Sequence, residues 1–318
     1  MTLLEVKDLK QHFTINKGFL GKKTTVKAVD GVSFSVNEGE TLGIVGESGC
    51  GKSSLGRSIL RLIEPTSGEI KYKGKNITDL KGKDLKNLRK EMQIVFQDPF
   101  ASLNPRNTVR DILEAPLIIH GVGNRKQRLE MIENLIGKIG LRKEQLSNFP
   151  HEFSGGQRQR IGIARALTLN PKLIIADEPV SALDVSVQSQ VLNLMSSLQE
   201  ELGLSYVFIS HDLSVVQHIS DRVAVMYLGK IVELAEVDEL YSNPQHPYTK
   251  ALLSAVPVPD PKQKRDRIIL QGDLPSPVNQ PTGCAFHTRC PVATAECKTI
   301  VPELREKSFG HWTACIHV

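Results

Sequence analysis

Residues 41–63 read TLGIVGESGCGKSSLGRSILRLI, and this stretch decides the fold. The apolar run TLGIVG is typical of a buried strand, and SSLGRSILRLI has the apolar spacing of a helix. Between them, GESGCGKS at 46–53 fits the phosphate-binding pattern G-x-x-x-x-G-K-[ST]. Glycines allow a tight backbone path whose amides converge on phosphate oxygens, and the N terminus of the helix adds positive charge. The order strand, loop, helix therefore predicts an α/β nucleotide-binding domain.

The loop residues form the predicted nucleotide site. Lys52 should reach the β- and γ-phosphates, and Ser53 should ligate Mg²⁺. A chance glycine-rich turn is the alternative, and the strand and helix on either side argue against it. Cys50 is interpreted as a small residue tolerated in the loop, with a redox role as the alternative. The predicted nucleotide-binding residues of this stretch are Gly46, Glu47, Ser48, Gly49, Cys50, Gly51, Lys52, Ser53 and Ser54.

Two carboxylates follow a second apolar strand in LIIADEP at 173–179. Ligands of open α/β sheets bind at the carboxyl ends of the strands, which is where Asp177 and Glu178 are expected. Asp177 suits Mg²⁺, and Glu178 is poised to polarise an attacking water. An acidic helix cap is the alternative, but it leaves two adjacent carboxylates unexplained.

A second glycine-rich helix start occurs in SGGQRQR at 154–160. A helix N terminus with a serine and two glycines is another anion site. Together with GESGCGKS and LIIADEP, this motif makes the chain resemble the ATPase subunits of ABC transporters. The resemblance implies that Ser154, Gly155, Gly156 and Gln157 act in trans, on the γ-phosphate held by a partner's loop. Phe153 stands where leucine is more usual, and that position is expected to pack rather than bind.

The same resemblance assigns four further positions. Gln97 in VFQDP corresponds to the Q-loop, which senses Mg²⁺ and the attacking water and faces the membrane subunits. Asp184 closes SALD, the D-loop that crosses the dimer interface, and His211 in FISHD corresponds to the switch histidine that contacts the γ-phosphate. Phe13 resembles the aromatic side chain that stacks on adenine, with a core aromatic of a β-layer as the alternative.

The composition fits a soluble protein with a membrane role only through partners. The chain has 318 residues, 40% hydrophobic and 24% charged, with a formal net charge of +5. That excess is too mild to imply nucleic acid by itself. No run of about 18 apolar residues is present, and the charged start MTLLEVKDLK does not fit a signal peptide. We therefore expect a chain at the cytoplasmic face of the membrane, held there peripherally by its partners.

The resemblance and the strand–helix alternation together predict the architecture. We expect a RecA-like P-loop NTPase core of α/β class, with an antiparallel β-subdomain near the front and a hairpin loop at 16–23. The nucleotide-binding domain should cover 1–240, with a helical subdomain at about 98–165. VAVMYLG and KIVELA are expected to form a hairpin. Residues 241–318 are proline-rich and should form an irregular, cysteine-containing extension.

The extension carries the sequences NPQHPYTKALLSAVP and GCAFHTRCP, which are similar to the C-terminal region of oligopeptide/dipeptide permease ATPase subunits. Its four cysteines, spaced C-x5-C-x6-C-x17-C, are Cys284, Cys290, Cys297 and Cys315. Thiolates bind zinc or iron–sulfur clusters, and some members of the resembled subfamily hold a 4Fe–4S cluster here. We therefore expect these four cysteines to hold a 4Fe–4S cluster, with zinc and free thiols as the alternatives. His287, His311 and His317 are interpreted as bystanders.

The function implied is ATP hydrolysis with Mg²⁺ that powers the import of small peptides. The partners implied are a sister ATPase subunit, two transmembrane permease subunits and an extracytoplasmic peptide-binding protein. Nickel or another small solute is an alternative cargo. A soluble ABC-type clamp acting on DNA or ribosomes is a further alternative, although neither a coiled-coil insert nor a second cassette is visible. A third alternative is a nucleotide-gated, metal-sensing module in which the cysteine-containing tail is the active part.

Overall fold

The computed structural model describes residues 1–16, 23–256 and 267–318. Its strands are β1 (Thr2–Asn16), β2 (Lys23–Asn37), β3 (Thr41–Val45), β4 (Ser67–Tyr72), β5 (Lys75–Asn76), β6 (Met92–Val95), β7 (Leu173–Asp177), β8 (Ser205–Ser210), β9 (Arg222–Tyr227), β10 (Lys230–Glu236), β11 (Arg305–Ser308) and β12 (His311–Thr313). Its helices are α1 (Lys52–Ile59), α2 (Gly82–Glu91), α3 (Pro99–Ser102), α4 (Val109–Ile119), α5 (Arg125–Lys138), α6 (Gly155–Leu167), α7 (Val185–Leu202), α8 (Leu213–Ile219), α9 (Val237–Ser242) and α10 (Pro247–Ser254). The loop predicted between β1 and β2 lies outside the described residues, as does part of the proline-rich stretch, 257–266.

The chain divides into two compact units. The P-loop unit consists of the described residues within Thr2–Val36, Thr41–Thr78 and Ser210–Val318. The signature unit consists of Met1, Asn37–Glu40 and Asp79–Ile209. Both units are discontinuous in sequence. The boundary predicted near residue 240 concerns sequence domains and stays a prediction.

The P-loop unit contains an antiparallel sheet in the order β2-β1-β4-β5. Strands β1 and β4 pair with Leu4 opposite Tyr72 and Val6 opposite Ile70, and all four side chains are buried. Alternate residues of a strand point to the same face, so this register buries one apolar face of the sheet. The antiparallel layer expected near the front of the domain is therefore present.

The same unit contains strands in the order β11-β12-β10-β9-β3. Strand β3 pairs with β9 in parallel, with Ile44 opposite Ala224. Strands β9 and β10 form the hairpin that VAVMYLG and KIVELA predict. All five residues of β3 are buried, as expected for a parallel strand covered on both faces. This buried strand is the fixed support from which the phosphate loop starts.

The signature unit combines the parallel strands β8, β7 and β6 with helices α2–α7. Ile175 of β7 faces Ile94 of β6 on one side and Val207 of β8 on the other. Helices α4, α5 and α6 share an apolar core that includes Leu113, Ile136 and Phe153. Helices occupy the segment between Gln97 and β7, where the sequence predicted a helical insert.

The C-terminal part is more regular than the sequence predicted. Arg305–Ser308 and His311–Thr313 form a short hairpin, and β12 pairs with β10 through Glu233 opposite Thr313. The strand REKS is exposed along its whole length, so no alternation of apolar and polar residues marked it in the sequence. Within the described ranges, no helix is both long and apolar enough to cross a membrane.

Candidate functional site

The phosphate loop leaves β3 at Gly46 and ends where α1 begins at Lys52. Gly51 has φ +105°, and a Cβ there would overlap the carbonyl oxygen of Ala28. Gly46 is similarly constrained, because a Cβ would overlap the carbonyl oxygen of Met226. No side chain caps α1. The backbone therefore needs glycine at these positions, and the start of α1 is shaped by backbone alone.

Lys52 is buried in this loop, with 5% of its surface exposed. Its ammonium group donates hydrogen bonds to the carbonyl oxygens of Gly46, at 2.7 Å, and Glu47, at 3.1 Å. Burial raises the pKa of the neighbouring Cys50 thiol, which favours the neutral thiol over the reactive thiolate. The Lys52 ammonium group thus contacts carbonyl oxygens of its own loop.

Gln97 and Glu178 contact each other at the carboxyl ends of two neighbouring strands. The Gln97 side-chain nitrogen donates to the Glu178 carboxylate at 2.9 Å. Gln97 follows β6 and Glu178 follows β7, and these strands are parallel neighbours. The two residues are 81 positions apart in sequence. The structure therefore brings together two of the three residues predicted to be catalytic.

The backbone holds Glu178 in a conformation that is rare for a residue with a side chain. Its φ is +48°, in the left-handed region. Its amide donates to the carbonyl oxygen of Ile209 at 2.9 Å, and its own carbonyl accepts from the Ser181 hydroxyl at 3.1 Å. Asp177, one residue earlier, is buried at the end of β7. This strained, supported turn aims the Glu178 side chain.

The SGGQ motif forms the start of α6 with a reciprocal cap. The Ser154 hydroxyl accepts from the Gln157 amide at 3.3 Å, and the Gln157 side chain accepts from the Ser154 amide at 3.0 Å. A Cβ on Gly156 would overlap the Val187 side chain, so α6 passes very close to the start of α7. Phe153 is buried, which confirms that this position packs.

Asp184 caps α7 at the end of the SALD segment. Its carboxylate accepts from the Ser186 hydroxyl at 2.8 Å and from the Val187 amide at 3.0 Å. These hydrogen bonds, the one from Ser186 first, lower the pKa of Asp184. The side chain of Gln188 donates to the carbonyl oxygens of Val180, at 3.1 Å, and Leu183, at 3.0 Å. The segment therefore has a defined shape that Asp184 and Gln188 maintain.

The remaining predicted residues differ in their element and their exposure. Phe13 lies in β1 and is half-buried, while Ser48 and Gly49 are exposed in the phosphate loop. Ser53 and Ser54 lie in the first turn of α1 and are half-buried.

His211 follows β8 directly and is exposed, and the next residue, Asp212, caps α8 by accepting from the Ser214 amide at 2.8 Å.

The four late cysteines line one pocket, together with Phe286, His246, His287 and His317. Burial raises the pKa of the Cys284 and Cys290 thiols. The Cys297 sulfur lies 3.2 Å from Nε2 of His317. No group of three or more metal-ligating side chains arranged to hold a metal ion occurs among the described residues. The structure therefore gathers the four cysteines around one pocket, and among the described residues it does not show the expected cluster or zinc site.

Two residues that the sequence did not single out contact the phosphate loop from the C-terminal part, and a third packs against one of them. The Arg289 guanidinium pairs with the Glu47 carboxylate, with its closer contact at 2.7 Å. The Tyr248 hydroxyl accepts from the Glu47 amide at 3.0 Å. Phe286 packs against Tyr248 with ring centres 5.3 Å apart. No local motif could have revealed Arg289, because it lies 242 positions from Glu47.

Comparisons with known proteins agree with this geometry. A family model described as "ABC transporter" matches residues 29–181. A second model, described as "Oligopeptide/dipeptide transporter, C-terminal region", matches residues 232–297.

Curated relatives match along nearly the whole chain. "Oligopeptide transport ATP-binding protein AppF" of Bacillus subtilis (strain 168) is 60% identical over 318 residues, which cover 99% of this chain and 97% of that protein. "Dipeptide transport ATP-binding protein DppF" of Haemophilus influenzae is 55% identical over 316 residues, which cover 99% and 97% of the two chains.

Solved structures show the same fold. The dimeric, post-hydrolysis ATP-binding cassette MJ0796 with ADP and Pi has a TM-score of 0.65 at 29% identity, covering 74% of this chain and 99% of that one. Clostridium perfringens cbiO1, part of the ABC transporter complex cbiONQ, has a TM-score of 0.66 at 27% identity, covering 76% and 91%. This chain is an ABC-type ATPase with the cassette fold. It belongs to the family of ATP-binding subunits of ABC transporters.

Proposed function

We propose that this chain hydrolyses ATP to power the import of oligopeptides or dipeptides through a membrane transporter. The observation that carries the proposal is the contact between Gln97 and Glu178, at 2.9 Å, at the carboxyl ends of β6 and β7. Glu178 is assigned the role of general base, which polarises the attacking water, and Gln97 orients it. The named functions of the AppF and DppF relatives support the peptide cargo.

The phosphate loop is the proposed triphosphate site. Its glycine backbone and the uncapped start of α1 suit a phosphate group, and Lys52 supplies the positive charge. Ser53, Gln97 and Asp177 are the proposed holders of Mg²⁺, since hydroxyl, amide and carboxylate oxygens are its preferred protein ligands. When bound, Mg²⁺ neutralises charge that develops on the phosphoryl oxygens. His211 is assigned to the γ-phosphate and Phe13 to the adenine.

Catalysis is proposed to need a second ATPase subunit. Ser154, Gly155, Gly156 and Gln157 would face the partner's triphosphate, and Asp184 would lie at the subunit interface. The dimeric form of the MJ0796 cassette supports this arrangement. Closure of the two subunits would be a population shift that γ-phosphate contacts favour and hydrolysis reverses.

The proposed assembly places the chain peripherally at the cytoplasmic face of the membrane. Its partners would be a sister ATPase, two transmembrane permease subunits and an extracytoplasmic peptide-binding protein. The Q-loop around Gln97 and the helical segment after it would carry the movement to the permease subunits. A nickel or other small-solute transporter would use the same ATPase residues, because cargo choice belongs to the partner subunits.

For the four cysteines we propose a structural role, with a 4Fe–4S cluster, zinc and free thiols as the three chemical forms to distinguish. The support is that Cys284, Cys290, Cys297 and Cys315 line one pocket, and four thiolates suit either metal centre. A bound metal centre would cross-link positions 284, 290, 297 and 315 and so stabilise the C-terminal segment. Iron, sulfide and zinc analysis after anaerobic purification separates the three forms, and thiols without metal would reject both centres.

The function is tested by purification of the chain from membranes with its associated subunits, followed by reconstitution in vesicles. We expect permease subunits to co-purify and ATP turnover to rise when a binding protein loaded with peptide is added. A nickel-loaded binding protein is the matched comparison. If only the nickel-loaded binding protein stimulated ATP turnover, the cargo would be nickel and not peptide. Salt-sensitive binding to nucleic acid without permease partners would favour a soluble clamp.

A further inference from the structure

The C-terminal segment 284–290, which contains two of the four cysteines, is attached to the phosphate loop. Two guanidinium nitrogens of Arg289 donate to the two carboxylate oxygens of Glu47, at 2.7 and 3.1 Å. This is a bidentate pair, the strongest geometry for an arginine and a carboxylate. Glu47 is the first residue after Gly46 in the loop, so Arg289 acts on the loop itself.

The pair is shielded from solvent. The Arg289 side chain is 8% exposed and that of Glu47 is 29% exposed. An exposed ion pair contributes little because water and salt screen it, whereas a shielded bidentate pair fixes both side chains. The hydrogen bonds to Glu47 also raise the pKa of Arg289. The geometry is that of a positioning contact and differs from an ordinary surface pair.

A second contact reaches the backbone of the same residue. The Tyr248 hydroxyl accepts a hydrogen bond from the Glu47 amide at 3.0 Å. Phe286 packs on Tyr248 and also on Tyr227, with ring centres 5.2 Å apart in the latter pair. Side chain and backbone of Glu47 are therefore both held, and both contacts depend on residues near or within segment 284–290.

A third connection reaches the other end of the loop. The Gln280 side chain donates to the carbonyl oxygen of Leu228 at 3.0 Å. The next amide, that of Gly229, donates to the carbonyl oxygen of Cys50 at 2.9 Å. The C-terminal part thus contacts the loop directly at Glu47 and, through one backbone step, at Cys50.

The cysteine-bearing turn sets the position of Arg289. The Cys284 amide donates to the carbonyl oxygen of Cys297 at 2.9 Å, and the Arg289 amide donates to that of Phe286 at 3.0 Å. Gly283 has φ +66°, and a Cβ there would overlap the Cys297 carbonyl oxygen. The turn is compact, and a change in its shape would move the guanidinium group.

We propose that Arg289 is a positioning residue of the nucleotide site: through Glu47 it holds the phosphate loop, and it couples segment 284–290 to nucleotide binding. The proposal rests on the proposed function, in which the phosphate loop binds ATP. Coupling between two sites is reciprocal, so the segment should affect nucleotide affinity and the nucleotide should affect the segment.

The test uses the full chain with Arg289→Met and the non-hydrolysable analogue AMP-PNP with Mg²⁺. We expect the Kd for AMP-PNP to rise about tenfold, within the usual range of site-to-site coupling. Arg289→Lys keeps the charge but loses the bidentate geometry, so its Kd should fall between those of the wild type and Arg289→Met. In the assembled transporter, the KM for ATP should rise while kcat changes little.

The matched control is Arg305→Met, in the same part of the chain. Arg305 pairs with Glu303 at 2.9 Å, and both side chains are at least 70% exposed, so its Kd should not change. Glu47→Gln breaks the same pair from the loop side and serves if Arg289→Met does not fold. Glu47→Gln combined with Arg289→Met should weaken binding by less than the sum of the single effects.

A second readout separates coupling from mere stability. Hydrogen exchange of the amides in segment 284–290 should slow when AMP-PNP binds to the wild type, and this protection should be lost in Arg289→Met. The inference would be overturned if Arg289→Met bound AMP-PNP with the wild-type Kd and its segment 284–290 kept the protection seen in the wild type. If Lys52→Ala nevertheless abolished AMP-PNP binding by the wild-type chain, the proposed function would stand. A wild-type chain that does not bind AMP-PNP would overturn both.

Discussion

The two glycine-rich helix starts of this chain, at α1 and at α6, are built differently although both are proposed to face phosphate. Helix α1 has Gly51 at its N-cap and no side-chain cap. Helix α6 has a complete reciprocal cap between Ser154 and Gln157. Orphan amides at a helix start need an acceptor. A ligand can supply it at α1, whereas at α6 the Ser154 hydroxyl already accepts from the Gln157 amide and the Gln157 side chain accepts from the Ser154 amide.

The comparison implies that the two helix starts have different roles in nucleotide binding. The start of α1 is suited to tight phosphate binding, because ligand oxygens can serve as the acceptors that no side chain supplies. The start of α6 is stable without a ligand, which suits a surface that meets a partner's nucleotide only during part of a cycle. The following predictions test this contrast, from the catalytic carboxylate to the α6 cap.

The largest effect is expected at Glu178, whose carboxylate accepts a hydrogen bond from Gln97. Glu178→Gln should still bind ATP at α1 yet hydrolyse it at least ~10²-fold more slowly, because the amide cannot act as a general base. ATP turnover by the assembled transporter measures this. Glu200→Gln, an exposed position on α7, is the control and should leave turnover unchanged. Normal turnover in Glu178→Gln would remove the general base from the mechanism.

The next effect concerns the packing of α6. Gly156→Ala places a methyl group against the Val187 side chain and should lower the free energy of unfolding by about 1–3 kcal/mol through overpacking. Gly162→Ala, in the same helix with open space at its Cβ, should instead raise it by about 0.5–1 kcal/mol through helix propensity. Urea unfolding of both variants makes the comparison, and equal effects would contradict a packing role for Gly156.

A third helix start, that of α10, is capped by a side chain that can be titrated. Nδ1 of His246 caps α10 by accepting from the Tyr248 amide at 3.1 Å, and burial lowers the pKa of His246 to about 3.

The unfolded chain takes up a proton at His246 near pH 6.5, whereas the folded chain stays neutral, so acidification favours unfolding. Stability should therefore fall from pH 6.5 towards pH 3 by at most about 1.4 kcal/mol per pH unit from this group. His246→Asn keeps a capping oxygen and should flatten the slope, and an unchanged slope would assign the pH dependence to other groups.

The smallest effect is expected at the α6 cap itself. Ser154→Ala should lower the free energy of unfolding by about 1 kcal/mol, because the Gln157 amide loses its acceptor. Ser154→Asn restores a capping group and should recover that stability. If the hydroxyl also serves a partner's nucleotide, turnover of the assembled transporter should stay low in Ser154→Asn although stability returns.

Much of the site could be predicted from sequence because its motifs are local. GESGCGKS gives strand, loop and helix in one stretch, and the apolar run LIIAD predicted a strand that ends at Asp177. The family resemblance added Gln97, and the structure places its side chain against Glu178. The β9–β10 hairpin was also predicted correctly, since two apolar runs flank a short turn.

Other features escaped the sequence for physical reasons. The hairpin β11–β12 is short and exposed, so it has no periodic signature. The geometry of the cysteines depends on how the chain folds around Cys297, and spacing alone cannot predict it.

The sequence alone determined the class of protein, because phosphate binding requires particular residues at adjacent positions that any reader can find. Tertiary structure alone decided that Arg289 and Tyr248 hold Glu47. A contact between residues some two hundred positions apart leaves no trace in local spacing, since it arises only when packing brings distant segments together.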